Sequence, residues 1–182
     1  MRLLTAALIL LLASSALARE VAGVAVPETA ALGPLTLKLN GAGLRSKLFI
    51  KVYVGALYLE QQAADVDAIL KADVPWLVTM TFKRGVEKEK IMGAFKEGFE
   101  NNSKADLATL LPALAVVESK LGDFKEGDVF TISYIPSSGA TLAPPRGAPV
   151  GVAGKAFGDA LLRNWLGARP ADGDLKAGML GK

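Results

Sequence analysis

The 182-residue sequence contains no cysteine and no histidine. Without cysteine it can form no disulfide and can offer no thiolate as a nucleophile or a metal ligand. Without histidine it lacks the usual general base near neutral pH and the commonest ligand of transition metals. Any catalysis would therefore depend on Tyr, Lys, Arg, Asp, Glu or a hydroxyl group. We predict neither a metal site nor a cofactor.

Motifs for nucleotide binding and acidic clusters for metals are also missing. Neither GxGxxG between a strand and a helix nor GxxxxGK[ST] occurs. Asp172 and Asp174 form the clearest acidic cluster, but no further carboxylate stands at a useful spacing. The closest glutamate pairs lie on the charged face of one predicted helix, which is typical of a solvated surface: Glu87 with Glu89, and Glu97 with Glu100.

Long apolar runs are missing after the amino terminus. Residues Met1–Ala18 combine one arginine, an apolar core and small residues that end in Ala16-Leu17-Ala18. That order predicts a secretory signal peptide cleaved after Ala18. No later stretch approaches the roughly 20 apolar residues that a membrane span needs, so we predict no stable membrane insertion after cleavage. An exported chain without cysteine favours the bacterial periplasm, or secretion, as its location.

Residues 19–182 fit one domain, because domains commonly have about 100–200 residues. Removal of Arg2 with the leader leaves 20 basic and 18 acidic residues. This small excess predicts no nucleic-acid partner, since proteins that bind nucleic acids carry clustered basic patches.

The apolar periodicity of the mature chain predicts an α+β fold, in which helices cover one face of a single antiparallel sheet. Alternating or apolar runs between turn signals predict strands at Leu35–Leu39, Leu48–Leu59, Trp76–Phe82, Val129–Ile135, Ala140–Ala143 and Ala148–Val152. A short strand is also expected around Val21–Val26, in a segment without a clear period. Apolar residues at three- and four-residue spacing, together with capping residues, predict helices at Val66–Lys71, Val86–Asn101, Lys104–Lys120, Lys155–Leu166 and Asp174–Leu180.

The segment Leu39–Glu60 is the strongest candidate for a functional site. Its glycines, Gly41 and Gly43, predict a turn that presents Arg45 at the start of the long strand. The guanidinium of Arg45 is a rigid fork of donors that suits a carboxylate, or a ketone oxygen that gains charge. The alternative is that Arg45 points into solvent.

The two faces of the strand Leu48–Leu59 differ in polarity. The face that includes Val52 and Val54 is uniformly apolar, and we predict that it meets the helices. The other face places Lys51 and Tyr53 among apolar residues such as Phe49, which is typical either of one wall of a ligand cleft or of a half-exposed sheet. The hydroxyl of Tyr53 offers a further donor near Arg45.

The segment GAGLR followed by FIKVYVGALYLE resembles the chalcone isomerase superfamily, whose plant enzymes carry a GxGxR motif before a strand that ends in GVYLE. The segments RGVEKEKIMGAFKEGFENN and KAFGDALLRNWLG fit the same family, so the resemblance covers roughly Val24–Gly181. Within the superfamily, the chain most resembles the bacterial members that are exported. The resemblance implies an open-faced β-sandwich: a large antiparallel sheet, a layer of helices against it, and a ligand cleft between them.

The resemblance also implies roles for individual residues. Enzymes of the superfamily close a flavanone ring with an arginine, a threonine, a tyrosine and an asparagine around the cleft, while related members without activity bind fatty acids through the arginine and a tyrosine. Arg45 takes the arginine position, and the strand threonine falls on Tyr53. The other positions fall on unlike residues: Lys90 near the tyrosine, Glu97 near the asparagine, and Arg146 or Gly147 near a late threonine.

Three hypotheses follow. The leading one is a periplasmic binding protein for a small amphipathic anion resembling a fatty acid, with Arg45, Tyr53, Lys51 and Phe49 as the ligand contacts. The second is an isomerase, or intramolecular lyase, in which Arg45 stabilises enolate charge. The third is a domain whose cleft is filled by its own side chains and which has a structural or partner-binding role.

Overall fold

The computed structural model describes residues 18–182. The predicted signal peptide lies outside this part of the chain except for Ala18, so its cleavage stays a prediction. The strands of the described part are β1 Ala18–Val21, β2 Val24–Pro27, β3 Thr29–Leu32, β4 Leu35–Lys47, β5 Ile50–Leu59, β6 Trp76–Phe82, β7 Val129–Ile135, β8 Gly139–Ala143 and β9 Val150–Val152. Its α-helices are α1 Val66–Lys71, α2 Lys88–Asn102, α3 Leu107–Glu118, α4 Lys155–Leu166 and α5 Gly173–Met179.

Strands β3 to β9 form one antiparallel sheet in which each strand pairs with its neighbours in the sequence. Apolar side chains on one face of this sheet pack against the helices and form the main core, as Val78 and Met80 do on β6. The separate hairpin β1–β2 packs on the other face over β4 and β5, where it covers a smaller core that includes Val26 and Leu37. These observations confirm the predicted α+β class.

Several elements were predictable from local sequence. Helix α1 coincides with its prediction, and the side chain of Asp65 accepts hydrogen bonds from two backbone N–H groups of its first turn. The predicted helix 104–120 consists of a short 3-10 helix, Lys104–Asp106, followed by α3. Pro112 lies within α3 and does not divide it. No helix within residues 18–182 is long and apolar enough to cross a membrane.

The prediction of a turn at Gly41 and Gly43 is wrong. Both glycines lie inside β4, which continues through a β-bulge at Asn40. A Cβ at Gly41 would overlap the carbonyl oxygen of Gly178, and one at Gly43 would lie 3.0 Å from the Cα of Leu175. These glycines are needed because helix α5 packs directly on the backbone of β4.

The turn between β4 and β5 is formed instead by Leu48 and Phe49. Lys47 pairs with Ile50, so only these two residues connect the strands. Both have positive φ, 49° at Leu48 and 67° at Phe49. A two-residue turn of this kind normally contains Asn or Gly, because positive φ is unfavourable for bulky side chains.

A second β-bulge interrupts the alternation of faces along β5 and places Val52 on the same side as Tyr53. Arg45 pairs with Tyr53 and Ser46 with Lys51, which leaves Val52 as the extra residue. Beyond the bulge Tyr53 faces the helices, whereas Val54 packs in the smaller core. The predicted orientation was therefore wrong, because the hairpin β1–β2 also buries the outer face and an apolar pattern cannot distinguish two buried faces.

Candidate functional site

An open cleft with a volume of about 810 Å³ lies between the β4–β5 hairpin, the loop that follows β6, and helix α2. Basic side chains at its edge include Arg45, Lys47, Arg84 and Lys90. The apolar residues of its wall are Leu48, Ile50, Val52, Val86, Ile91 and Phe124. Three acidic residues, Glu87, Glu97 and Asp123, also line this outer cleft, so among its described lining residues the basic groups exceed the acidic groups by one.

A much smaller pocket, of about 10 Å³, lies between the sheet and helices α2 and α4. Arg45 lines both this inner pocket and the outer cleft. The other polar side chains of the inner pocket are Tyr53, Asn164 and Trp165, and no carboxylate is among its described lining residues. Its volume is about that of one water molecule in a protein cavity.

The guanidinium of Arg45 has few partners in the protein. Its Cζ lies 5.6 Å from the centre of the Tyr53 ring, which is a cation–π distance. Within the described chain its Nε is buried without a hydrogen-bond acceptor, and no carboxylate oxygen lies within 4.0 Å of the guanidinium. A buried charged donor without an acceptor is costly, so the position suits an anionic ligand or an ordered water.

The hydroxyl of Tyr53 is held by one hydrogen bond within the described part of the chain. Its oxygen accepts a hydrogen bond of 2.9 Å from the indole N–H of Trp165, which can only donate. No acceptor for the hydroxyl proton is found among residues 18–182. Burial raises the pKa of Tyr53 above its ordinary value, and the charge of Arg45 opposes this shift only in part. Tyr53 is therefore protonated at neutral pH and can donate into the inner pocket.

Asn164 is a site residue that sequence reasoning missed. It lies on α4 with 2% of its surface exposed, and neither its Nδ2 nor its Oδ1 has a partner in the described part of the chain. Gly98 of α2 leaves the room for it, since a Cβ at Gly98 would overlap the Asn164 amide. The available signal was its position three residues after Leu161, on the apolar face of the predicted helix Lys155–Leu166.

The structure brings only two of the four predicted contacts together. Arg45 and Tyr53 are adjacent across β4 and β5. Phe49 is 103% exposed at the hairpin turn, and Lys51 is exposed. Neither of these two lines the outer cleft or the inner pocket, because the bulge at Val52 turns residues 50 and 52 inward instead. We therefore leave Phe49 and Lys51 out of the proposed ligand site.

Of the positions that the resemblance assigns to catalytic residues, some line the outer cleft and others lie outside both cavities. Lys90 and Glu97 line the outer cleft. Arg146 lies outside both cavities and holds Asp128 through two nitrogen atoms, at 2.8 and 2.7 Å. The inner pocket offers a guanidinium, a phenol and an amide, which together can hold one water molecule beside an anionic group bound by Arg45.

The chain is similar to known proteins in sequence pattern and in fold. A family model described as chalcone isomerase-like matches residues 18–181. Among solved structures, the crystal structure of a fatty-acid binding protein from Arabidopsis thaliana is similar, with a TM-score of 0.68 and 18% identity over 87% of this chain and 92% of that chain. At this identity the similarity establishes the fold, a curled antiparallel sheet with helices. No curated protein matches the sequence.

Proposed function

The chain belongs to the chalcone isomerase-like family, and from that premise we propose that it is an exported protein that binds a small amphipathic anion, such as a fatty acid. The carboxylate is placed beside Arg45, which lines both the inner pocket and the outer cleft. The hydrocarbon chain follows the apolar wall formed by residues such as Val52 and Ile91. The volume of the outer cleft, about 810 Å³, falls within the usual range for small-molecule sites.

The observation that carries this proposal is the set of unpaired polar groups around the inner pocket. The Nε of Arg45 and both amide atoms of Asn164 are buried without partners among residues 18–182. A buried polar group left unpaired costs about 1–3 kcal/mol, and more when it is charged. A carboxylate beside Arg45 removes the largest of these costs and forms a charge-assisted hydrogen bond.

The small size of the inner pocket determines how Tyr53 and Asn164 contact the ligand. At about 10 Å³ it accommodates a water molecule rather than a carboxylate. We therefore place one bound water between Tyr53, Asn164 and the ligand oxygen that Arg45 holds. Such a bridging water is enthalpically almost as favourable as a direct hydrogen bond.

The solved structure of similar fold supports the ligand class, because that plant protein is named as a fatty-acid binding protein. The isomerase hypothesis has weaker support. Lys90 and Glu97 stand in the outer cleft where the resemblance implies a tyrosine and an asparagine. Arg45 stabilises developing negative charge, but the tyrosine hydroxyl that the resemblance implies in the cleft is replaced by the amine of Lys90.

The test is extraction of bound lipids from the purified protein, followed by displacement of a fluorescent fatty acid. We expect fatty acids in the wild-type extract, and a tenfold or greater loss of affinity in Arg45→Gln. Arg169→Gln, which changes an exposed arginine, is the matched control and should bind as the wild type does. Equal affinity in the wild type and Arg45→Gln would contradict the proposal. Cyclisation of a chalcone that Arg45→Gln abolishes would favour the isomerase instead.

A further inference from the structure

The hairpin turn between β4 and β5 exposes three large apolar side chains in succession. Leu48 is 83%, Phe49 103% and Ile50 47% exposed. The turn also holds Leu48 and Phe49 at positive φ, where Asn or Gly would fit without strain. Exposure and backbone strain are both unfavourable for folding, so this turn sequence is not explained by stability of the fold.

Basic residues surround this apolar turn. Lys47 and Lys51 flank it in sequence, and both are exposed. The backbone N–H of Lys83 donates to the carbonyl of Val52 at 2.9 Å, which brings Lys83 and the exposed Arg84 beside the base of the hairpin.

The acidic residues of the same region have partners of their own. Glu87 forms an ion pair with Lys90 at 3.0 Å, and Asp123 accepts a hydrogen bond from the backbone N–H of Lys88 at 3.0 Å. Asp172 accepts from the backbone of Ser46. The backbone hydrogen bonds leave Asp123 and Asp172 charged, but the two residues that directly flank the turn are lysines. The hairpin end therefore presents an apolar tip between two exposed basic residues.

This combination of shape and charge matches the surface of an anionic lipid bilayer better than that of a protein. A stable protein interface buries about 800 Å² on each partner, and a two-residue turn that projects from a hairpin provides much less. Apolar side chains can enter the boundary between headgroups and acyl chains to a depth of about 5–10 Å, while adjacent lysines contact lipid phosphates.

We propose that the segment Lys47–Lys51, here called the docking turn, attaches the protein reversibly to a membrane surface that contains anionic lipid. Phe49 and Leu48 enter the acyl boundary, and Lys47 and Lys51 bind phosphate groups. Leu48 and Ile50 also line the outer cleft. Docking therefore places the mouth of that cleft at the membrane, where an amphipathic anion is concentrated. Only this last consequence depends on the proposed ligand.

The test is sedimentation with vesicles of phosphatidylcholine, with and without phosphatidylglycerol. The protein is purified after expression of the full chain, and its amino terminus is determined by mass spectrometry, so that all variants are compared with the same end. We expect the wild type to bind the anionic vesicles at least tenfold more tightly than the neutral ones, and to be released by high salt. Equal binding to both vesicle types would overturn the proposal.

Phe49→Gly separates docking from folding and from ligand binding. Glycine relieves the positive φ, so the variant should melt no lower than the wild type while its vesicle affinity falls at least tenfold. Phe49 lines neither cavity, so binding of a soluble fatty acid should be retained. Val116→Gln, which changes another exposed apolar residue, is the control. If Phe49→Gly binds vesicles as Val116→Gln does, the docking turn has no such role.

The charge of the docking turn is tested with Lys51→Gln, matched by Lys96→Gln on the exposed face of α2. A lysine near an anionic surface contributes about a fivefold factor in affinity, so Lys51→Gln should show that loss and the control should not.

A second copy of the protein is the other possible occupant of the docking turn, and light scattering of the wild type and Phe49→Gly tests for it. A wild-type dimer that Phe49→Gly converts to a monomer would show that a second copy covers the turn, and would overturn membrane docking. A monomer in both supports it.

Discussion

Gly98 of helix α2 faces the buried side chain of Asn164 on helix α4 so closely that any Cβ at position 98 would overlap the Asn164 amide. The absence of one side chain therefore makes room for a buried polar group between the two helices. Asn164 in turn lines the inner pocket with Arg45 and Tyr53. The packing of two helices and the composition of the proposed site are thus linked through one contact.

The first prediction compares two glycines of the same helix. Gly93→Ala meets no atom within 4 Å and should stabilise the protein by up to about 1 kcal/mol through helix propensity. Gly98→Ala gains the same propensity but must displace Asn164, and we expect a net loss of about 1–3 kcal/mol. Urea unfolding measures both. In the double variant Gly98→Ala/Asn164→Ala part of the loss should be recovered. Equal stability of the two single variants would show that the side chain of Asn164 can move away from the new methyl group without a cost in free energy.

The second prediction separates stability from ligand binding at Asn164. Leucine has a similar shape, and it removes two buried polar atoms that lack partners among residues 18–182. Asn164→Leu should therefore raise the free energy of unfolding by about 1 kcal/mol. The same change removes the groups that hold the proposed water, so fatty-acid affinity should fall several-fold. Calorimetric unfolding and ligand displacement on one preparation check both effects. A variant that is less stable than the wild type would indicate that Asn164 has a structural partner.

The sequence predicted those elements whose signals are local. Asp65 caps α1 with its own side chain, and the alternation of Trp76–Phe82 is complete within one strand. The bulges at Asn40 and Val52 depend on which residues of two strands pair, and periodicity along one strand does not contain that information. The role of Asn164 depends on how closely α2 approaches α4, which is a tertiary property.

The glycines of β4 are an intermediate case. Gly41 and Gly43 are the distinctive feature of the sequence just before Arg45. Glycine, however, permits both a turn and a close approach of two backbones. The contact with α5 decides between these two uses. Because that helix lies more than 120 residues later in the chain, no window around Gly41 could have shown it.

The third prediction tests that close approach. Gly41→Ala places a methyl group against the backbone of Gly178, which cannot move without shifting α5. We expect a loss of about 1–3 kcal/mol or more in the free energy of unfolding. Gly151→Ala, in strand β9 with nothing within 4 Å, is the matched control and should be neutral or stabilising by about 0.5–1 kcal/mol. Chemical denaturation compares the two, and a Gly41→Ala protein as stable as Gly151→Ala would contradict the assigned role.

The last prediction concerns stability in acid. The guanidinium of Arg146 and the backbone N–H of Lys125 lower the pKa of Asp128 from 3.8 to about 2. Between these two values the unfolded chain binds the proton and the folded chain does not, so the stability that this carboxylate contributes is present above pH 3.8 and is lost as the pH falls towards 2. Asp128→Asn should therefore show a shallower fall in the free energy of unfolding over that interval than the wild type.

Arg146→Gln should also make the free energy of unfolding depend less on pH between these values, since it removes the main cause of the pKa shift. The double variant should differ little from either single variant. Denaturant titrations from pH 5 downward provide the measurement. Wild-type and Asp128→Asn curves that stay parallel throughout would show that the Arg146–Asp128 pair does not persist in solution.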